Sequence, residues 1–296
     1  PPETAAGFVT GGTMANFTAL AAARHAVLRH AGWDVEADGL FGAPPVTVVV
    51  GDEVHVSALK ALALLGFGRD RVTRVPVDGQ GRMRADALPS PSGPTIVCTQ
   101  AGNVNTGAID PVGEICAWAH EAGAWVHVDG AFGLWAAAAP SRAHLLEGVG
   151  AADSWALDAH KWLNVPYDCG FMFVRDQEYL LKSFSTAGAY LVPVGGDGPD
   201  PVHGTAEMSR RFRALSMWCA LKAAGRSGYR ELVERCVMNA ADLADWITET
   251  NGVELMNPAT LNIVCFRFTA DGLSGEEQDV ANRAALRRMQ ENGRVF

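Results

Sequence analysis

The sequence has little positive charge and no long apolar run, and each lack excludes a class of protein. Among 296 residues, 24 are Lys or Arg and 33 are Asp or Glu, which gives a net charge of -9. This acidic excess argues against nucleic acid and an anionic membrane as general partners. No apolar stretch approaches the roughly 20 residues that a membrane-spanning helix needs. No basic segment followed by an apolar run at the start indicates a secretory signal.

Paired cysteines and the common nucleotide motifs are also lacking. The six cysteines stand apart, at positions 98, 116, 169, 219, 236 and 265, and none forms a Cys-x-x-Cys pair. This spacing fits the reduced thiols of a cytoplasmic protein better than a disulfide framework or a zinc site. His120 and His127 are expected to be structural, because no carboxylate–histidine cluster at ligand spacing accompanies them. Neither a Gly-x-Gly-x-x-Gly fingerprint nor a Walker lysine is present.

What the chain does have is an apolar content sufficient for a large core and an alternation of strands and helices. Hydrophobic residues make up 48% of the chain. Strand patterns at 46–51, 95–100 and 124–129 alternate with helical patterns, which predicts a doubly wound α/β fold. We predict a large domain over 1–234 and the start of a smaller α+β domain over 235–296. Because the chain begins with Pro1 and not Met, we expect further sequence at its ends.

Two predicted strands end in residues that suit an aldehyde cofactor with a basic ring. One strand ends in Asp129, and another, near 151–155, leads into His160 and Lys161. Burial lowers the pKa of a lysine and makes its amine a nucleophile that forms Schiff bases. At about 4 Å and an effective dielectric near 20, a carboxylate and a pyridinium attract by roughly 4 kcal/mol, about three pKa units. The alternative for Lys161 is a surface lysine whose stem covers Trp162.

Two further segments place polar groups at the ends of helices and strands. Gly11, Gly12 and Thr13 precede a predicted helix, where free backbone amides attract a phosphate. A glycine turn with a threonine cap is the alternative there. His55 lies on a predicted strand-to-helix loop, and it either stacks on a flat ring, handles a proton or is a hydrogen-bonded structural histidine.

Three segments together make the chain similar to the group II pyridoxal-phosphate-dependent decarboxylases, the family of aromatic-amino-acid, histidine and glutamate decarboxylases. They are HVDGAF at 127–132, ADS at 152–154 followed by HKW at 160–162, and RRFR with MW within 210–218. The resemblance implies fold type I of the pyridoxal-phosphate-dependent transferases: a mostly parallel central sheet flanked by helices, with a smaller C-terminal α+β domain that is truncated here. It also implies a homodimeric carboxy-lyase of amino-acid and carboxylic acid metabolism, which binds pyridoxal 5'-phosphate and decarboxylates a small-molecule amino-acid substrate.

The resemblance also assigns roles to individual residues. Those that would hold the cofactor are Lys161 through an aldimine, Asp129 at the ring nitrogen, His55 and Ala131 on the two ring faces, Gly11, Gly12 and Thr13 at the phosphate, His160 beside it, and Asn103 in an approaching loop. Tyr190 would match the mobile-loop tyrosine that protonates the carbanion after carbon dioxide leaves. Ser209 would line the substrate pocket.

The chain departs from the family pattern in two motif positions. Asp158 stands where many relatives have Asn, and a carboxylate there is expected to turn away from the phosphate or be protonated. Gly130 replaces the first Ala of the usual Asp-Ala-Ala. Two alternatives to a decarboxylase stay open: another activity of the same fold (aldehyde synthase, lyase, desulfurase or aminotransferase) and a non-catalytic binding protein. A desulfurase needs a reactive loop cysteine, and none lies within 185–204.

Overall fold

The computed structural model describes residues 4–185 and 200–293. The strands are β1 Ala5–Val9, β2 Thr47–Gly51, β3 Thr73–Val75, β4 Thr95–Gln100, β5 Trp125–Asp129, β6 Ser154–Asp158, β7 Gly170–Val174, β8 Val253–Leu255 and β9 Phe266–Phe268. The α-helices are α1 Gly12–His30, α2 Val35–Asp38, α3 Val56–Leu64, α4 Val112–Glu121, α5 Gln177–Phe184, α6 Ala214–Glu249 and α7 Gly275–Glu291.

Seven strands form one sheet in the order β1-β7-β6-β5-β4-β2-β3. Strands β2 to β6 run parallel, whereas β7 is antiparallel to both of its neighbours. The predicted α/β fold with a mostly parallel sheet is thus confirmed. The helices between parallel strands bring the carboxyl ends of β2, β4, β5 and β6 to one edge, where open α/β sheets bind ligands.

Apolar side chains cover both faces of the sheet, since its central strands are buried on each side. On β5, Trp125 packs in the layer that contains α1, whereas Val126 and Val128 pack in the layer that contains α4. Helix α1 is rich in alanine and is buried on most of its circumference. Small side chains let this helix lie close against the strands, and they also bury its single asparagine, Asn16.

In the C-terminal part, helices α6 and α7 flank a small two-stranded sheet. The residue Gly225, with φ 62°, interrupts the helical geometry of α6, a conformation that glycine adopts without strain. Strands β8 and β9 pair antiparallel. The predicted domain boundary at 235 falls inside α6, and the division into 1–234 and 235–296 stays a prediction. Within 4–185 and 200–293, no helix combines the length and apolar character that a bilayer crossing requires.

Candidate active site

The predicted site residues lie where strands end at one edge of the sheet. Asp129 is the last residue of β5, Lys161 follows β6, and His55 follows β2 and is the N-cap of α3. Two adjoining cavities of about 580 Å³ and 310 Å³ meet at this edge, and His55, Ala131 and Lys161 line both. Asp129 lines only the larger cavity, whereas the segment 10–14 lines only the smaller one.

Three donors hold the carboxylate of Asp129, which is 6% exposed. Its Oδ2 accepts a hydrogen bond from Asn16 Nδ2 at 2.9 Å and lies 3.4 Å from Ser57 Oγ. Its Oδ1 accepts from the backbone N–H of Ala131 at 3.3 Å. These contacts fix the direction of the carboxylate towards the larger cavity. Asn16 and Ser57 were not among the predicted site residues.

His55 is held by its own helix and by the neighbouring strand. Its backbone N–H donates to Gln100 Oε1 at 3.1 Å, and Gln100 is the last residue of β4. Its Nδ1 accepts from the backbone N–H of Ser57 at 3.2 Å and lies 2.7 Å from Ser57 Oγ. The ring is thereby held at a position where it lines both cavities.

Lys161 is less buried than we expected. Its side chain is 40% exposed, and its Nζ lies 3.2 Å from Asp158 Oδ2. The expected burial of the amine is therefore wrong for this structure, because β6 ends three residues earlier and leaves Lys161 in the loop between the cavities. The ammonium also lies 5.9 Å from the centre of the Phe132 ring.

The first turn of α1 forms the wall of the smaller cavity. Among the residues that the structure describes, no side chain caps this end of the helix, and no acidic residue lies in its first turn. The first backbone N–H groups of a helix have no partner within it, so Gly12 and Thr13 present donors suited to an anion. A Cβ on Gly12 would lie 2.9 Å from Asp158 Oδ2, and one on Gly11 would lie 3.0 Å from His160 Cε1. Both glycines thus permit a close approach of backbone and loop.

Asp158 does not turn away from this end of α1. Its side chain is 4% exposed, and its Oδ1 lies 3.5 Å from His160 Nε2. Within the described ranges, that Oδ1 has no hydrogen-bond partner. The expectation that this carboxylate is protonated or turns away from a bound phosphate stays a prediction. His160 in turn stacks on Tyr167, with ring centres 4.1 Å apart.

Gly130, the second position that departs from the family pattern, is a glycine for a steric reason. A Cβ at this position would lie 2.1 Å from Leu134 Cγ. Leu134 occupies the space that the methyl group of an alanine would need, so the two positions are coupled in this chain.

Two predicted residues, Asn103 and Ser209, are not brought into the cavities. The side chain of Asn103 is buried in its own loop, where Nδ2 donates to Glu53 Oε2 at 2.9 Å and Oδ1 accepts from the N–H of Asn105 at 2.8 Å. Ser209 is exposed and lines neither cavity. Tyr190 lies outside the described residues.

The fold and these residues define an α/β site for a flat, phosphorylated aldehyde that has a basic ring nitrogen. An amine, a buried carboxylate and an uncapped helix end surround two connected cavities, which fits pyridoxal 5'-phosphate. The chain belongs to the pyridoxal-dependent decarboxylases, because the model of their conserved domain matches residues 3–269. The predicted family, fold and cofactor are thereby confirmed.

Known relatives support this placement and differ in their products. The chain is 32% identical to an aromatic-L-amino-acid decarboxylase of Bacillus atrophaeus, over 93% of the chain and 58% of that protein. It is 30% identical to a phenylacetaldehyde synthase of Petunia hybrida, over 76% of the chain and 47% of that protein. The crystal structure of Oryza sativa TDC with PLP and tryptamine superposes with a TM-score of 0.89 at 28% identity, over 99% of the chain and 63% of that structure. The chain thus spans about half to two thirds of these relatives.

Proposed function

We propose that the protein is a pyridoxal-phosphate-dependent carboxy-lyase that converts an L-amino acid to its amine and carbon dioxide. The observation that carries the proposal is that Lys161 and Asp129, at the ends of neighbouring strands, face one cavity that continues to the uncapped end of α1. When bound, the cofactor supplies a ring that accepts the electron pair left when carbon dioxide departs. The chain's residues bind and orient it.

Each residue has one task in this proposal. Lys161 supplies the amine that bonds the cofactor aldehyde, and Asp129 holds the proton on the ring nitrogen. His55 and Ala131 cover the two ring faces. Backbone N–H groups at 11–13 bind the phosphate with His160 beside them. Asn103, which donates to Glu53, shapes the loop whose Gly102 and Val104 line the larger cavity, and Ser209 lines the substrate pocket.

Trapping the cofactor on the protein tests the central residue. The chain has four lysines, at positions 60, 161, 182 and 222. Reduction of the cofactor-loaded full-length protein with borohydride, followed by digestion, is expected to label only the peptide that contains Lys161. Lys161→Ala should abolish labelling, whereas Lys60→Ala, on the exposed surface of α3, should leave it unchanged. A label on another peptide would contradict the proposal.

A panel of amino acids tests the reaction and its substrate. We expect the full-length protein to release carbon dioxide and the matching amine from at least one amino acid. No release from any amino acid by protein that holds the cofactor would refute a decarboxylase. A colourless protein that added pyridoxal phosphate does not change would instead support a non-catalytic protein.

An aldehyde synthase is the second candidate, because one relative bears that name. The presence of His55 and Tyr190 favours the amine, since synthases of this family typically lack one of the two. If Tyr190 returns the proton to carbon, Tyr190→Phe should shift the product from amine to aldehyde. An unchanged yield of amine would remove Tyr190 from the scheme.

We further propose a cytoplasmic homodimer. Phe212 is 71% exposed and Trp218 is 59% exposed, on the segment that opens α6. Together with the resemblance, these exposed apolar rings support a partner surface. Light scattering of the full-length protein should give twice the mass of the chain, and a monomer at micromolar concentration would contradict this.

A further inference from the structure

A buried row of hydrogen bonds continues from Asp129 into the interior of the sheet. Asn16, whose Nδ2 donates to Asp129, places its Oδ1 2.9 Å from His127 Nε2. On the other side of the ring, His127 Nδ1 lies 2.9 Å from Ser154 Oγ. Ser154 Oγ in turn accepts from Trp125 Nε1 at 2.9 Å. Asn16, His127 and Ser154 are fully buried.

The two ends of this row determine the direction of every bond in it. The indole N–H of Trp125 only donates, and the ionised carboxylate of Asp129 only accepts. Ser154 therefore accepts from Trp125 and donates its hydroxyl proton to His127 Nδ1. His127 then carries its single proton on Nε2 and donates it to Asn16 Oδ1. A flipped Asn16 would place its oxygen against the carboxylate, so only one arrangement satisfies all the groups.

The surroundings of His127 keep it neutral. Burial lowers the pKa of its imidazole to about 3. The strand neighbours that face it are Cys98 on β4 and Ser154 on β6. Burial and the nearby Asp129 carboxylate raise the pKa of Cys98 to about 12, so this thiol is uncharged as well. Asp129 is thus the charged group at the end of an otherwise neutral row.

We propose that His127, fixed as its Nε2–H tautomer by Ser154, is a positioning residue that orients Asn16 and through it aims the Asp129 carboxylate at the cofactor ring. Both hydrogens of the Asn16 amide are used, one on Asp129 and one on Ser57 Oγ at 3.2 Å. A rotated amide would therefore loosen Asp129 and the Ser57 contact that steadies His55. The effect on the cofactor rests on the proposed function, whereas the tautomer does not.

Nitrogen NMR of the cofactor-free full-length protein tests the tautomer directly. With 15N-labelled histidine, and His127 assigned by comparison with His127→Gln, we expect one protonated and one unprotonated ring nitrogen. The proton should be on Nε2, and the shifts should stay constant from about pH 8 to about pH 5. A proton on Nδ1, or titration within that range, would overturn the proposal. The tautomer is read on the wild-type protein, and His127→Gln serves only to assign the signals.

Two variants of His127 separate positioning from general packing. Glutamine places its amide nitrogen near the position of Nε2 and retains a donor to Asn16, whereas asparagine reaches only the Nδ1 position. We expect His127→Asn to weaken pyridoxal phosphate binding by roughly tenfold or more, the effect of losing one hydrogen bond to a charged network. His127→Gln should stay within about threefold of the wild type, because the donor is restored.

Thr99→Val is the matched control. Thr99 is buried on β4, and its hydroxyl donates to the backbone oxygen of His127 at 3.1 Å without joining the row. This variant should lose stability but keep its affinity for pyridoxal phosphate. Equal affinities of His127→Asn and His127→Gln would overturn the proposal. A wild-type protein that binds no pyridoxal phosphate would instead refute the proposed function, and the nitrogen spectrum would still decide the orientation of the row.

Discussion

The neutral His127 predicts a specific loss of stability in acid. Its pKa is about 3 in the folded protein, against about 6.5 in an unfolded chain. Below pH 6.5 the unfolded state binds a proton that the folded state excludes, so folding becomes less favourable as the pH falls. The slope is about 1.4 kcal/mol per pH unit, and between about pH 7.5 and pH 5 the expected loss is about 2 kcal/mol.

Comparison with His127→Gln isolates this contribution from that of other buried groups. Burial raises the pKa of Asp110 to about 6, and for a carboxylic acid this has the opposite sign: stability rises as the pH falls from 6 towards 4. The wild-type curve alone therefore mixes both groups. The difference between wild type and variant removes Asp110, since His127→Gln leaves it untouched.

The assay is urea unfolding of the cofactor-free full-length protein at several pH values. The free energy of unfolding of the wild type should fall by about 2 kcal/mol relative to that of His127→Gln between pH 7.5 and pH 5. Parallel curves for the two proteins would show that His127 does not titrate on unfolding. They would contradict the neutral imidazole that fixes the direction of the hydrogen-bond row.

Three further substitutions test the contacts at the cavities. Gly130→Ala places a methyl group against Leu134 and should lower the free energy of unfolding, measured in urea, by about 1–3 kcal/mol. In a background that already carries Leu134→Ala, the same Gly130→Ala change should cost less stability. An equal loss of stability in both backgrounds would contradict the steric coupling. Gly12→Ala should weaken pyridoxal phosphate binding in a fluorescence titration, whereas Gly150→Ala, with open space around its Cβ, should not. Asp158→Asn should tighten that binding up to about tenfold, by removing a negative charge beside the phosphate; unchanged or weaker binding would be the contrary result.

The parts of the fold that the sequence predicts are those with strong local patterns. The β-branched run at 46–51 and the apolar run at 124–129 both form buried strands, at Thr47–Gly51 and Trp125–Asp129. Strand β1 was not predicted, because Ala5–Val9 holds two alanines and a glycine and, among the described strands, pairs only with the distant β7. A strand defined mainly by its partner has little signal of its own.

The site residues also fall into those that a local sequence pattern predicts and those that only distant contacts define. Asp129 ends a strong strand pattern, and Lys161 follows a weaker one that was predicted near 151–155 and lies at Ser154–Asp158. Their meeting at one edge is predictable from parallel topology. Asn16 was missed because it lies in an alanine-rich helix and acquires its role only through contacts 111 and 113 residues away. The sequence did mark Asn16 as unusual, because a lone polar side chain in a helix that is buried on all sides must form its hydrogen bonds within the protein. The side chain of Asn103 shapes its own loop, and its assignment to the cofactor stays a prediction.

Helix α1 both lines a cavity and belongs to the core, so ligand binding is coupled to the stability of the fold. Its opening turn borders the smaller cavity, and its remaining turns run through the interior against both the sheet and α3. A phosphate that binds the first turn of α1 therefore also stabilises the layer of helices that packs on this face of the sheet. At a hundredfold excess over its dissociation constant, such a ligand adds about 2.7 kcal/mol to the stability of the folded state. If the first turn of α1 binds the phosphate as proposed, the concentration of pyridoxal phosphate therefore sets the stability of the fold as well as the occupancy of the site.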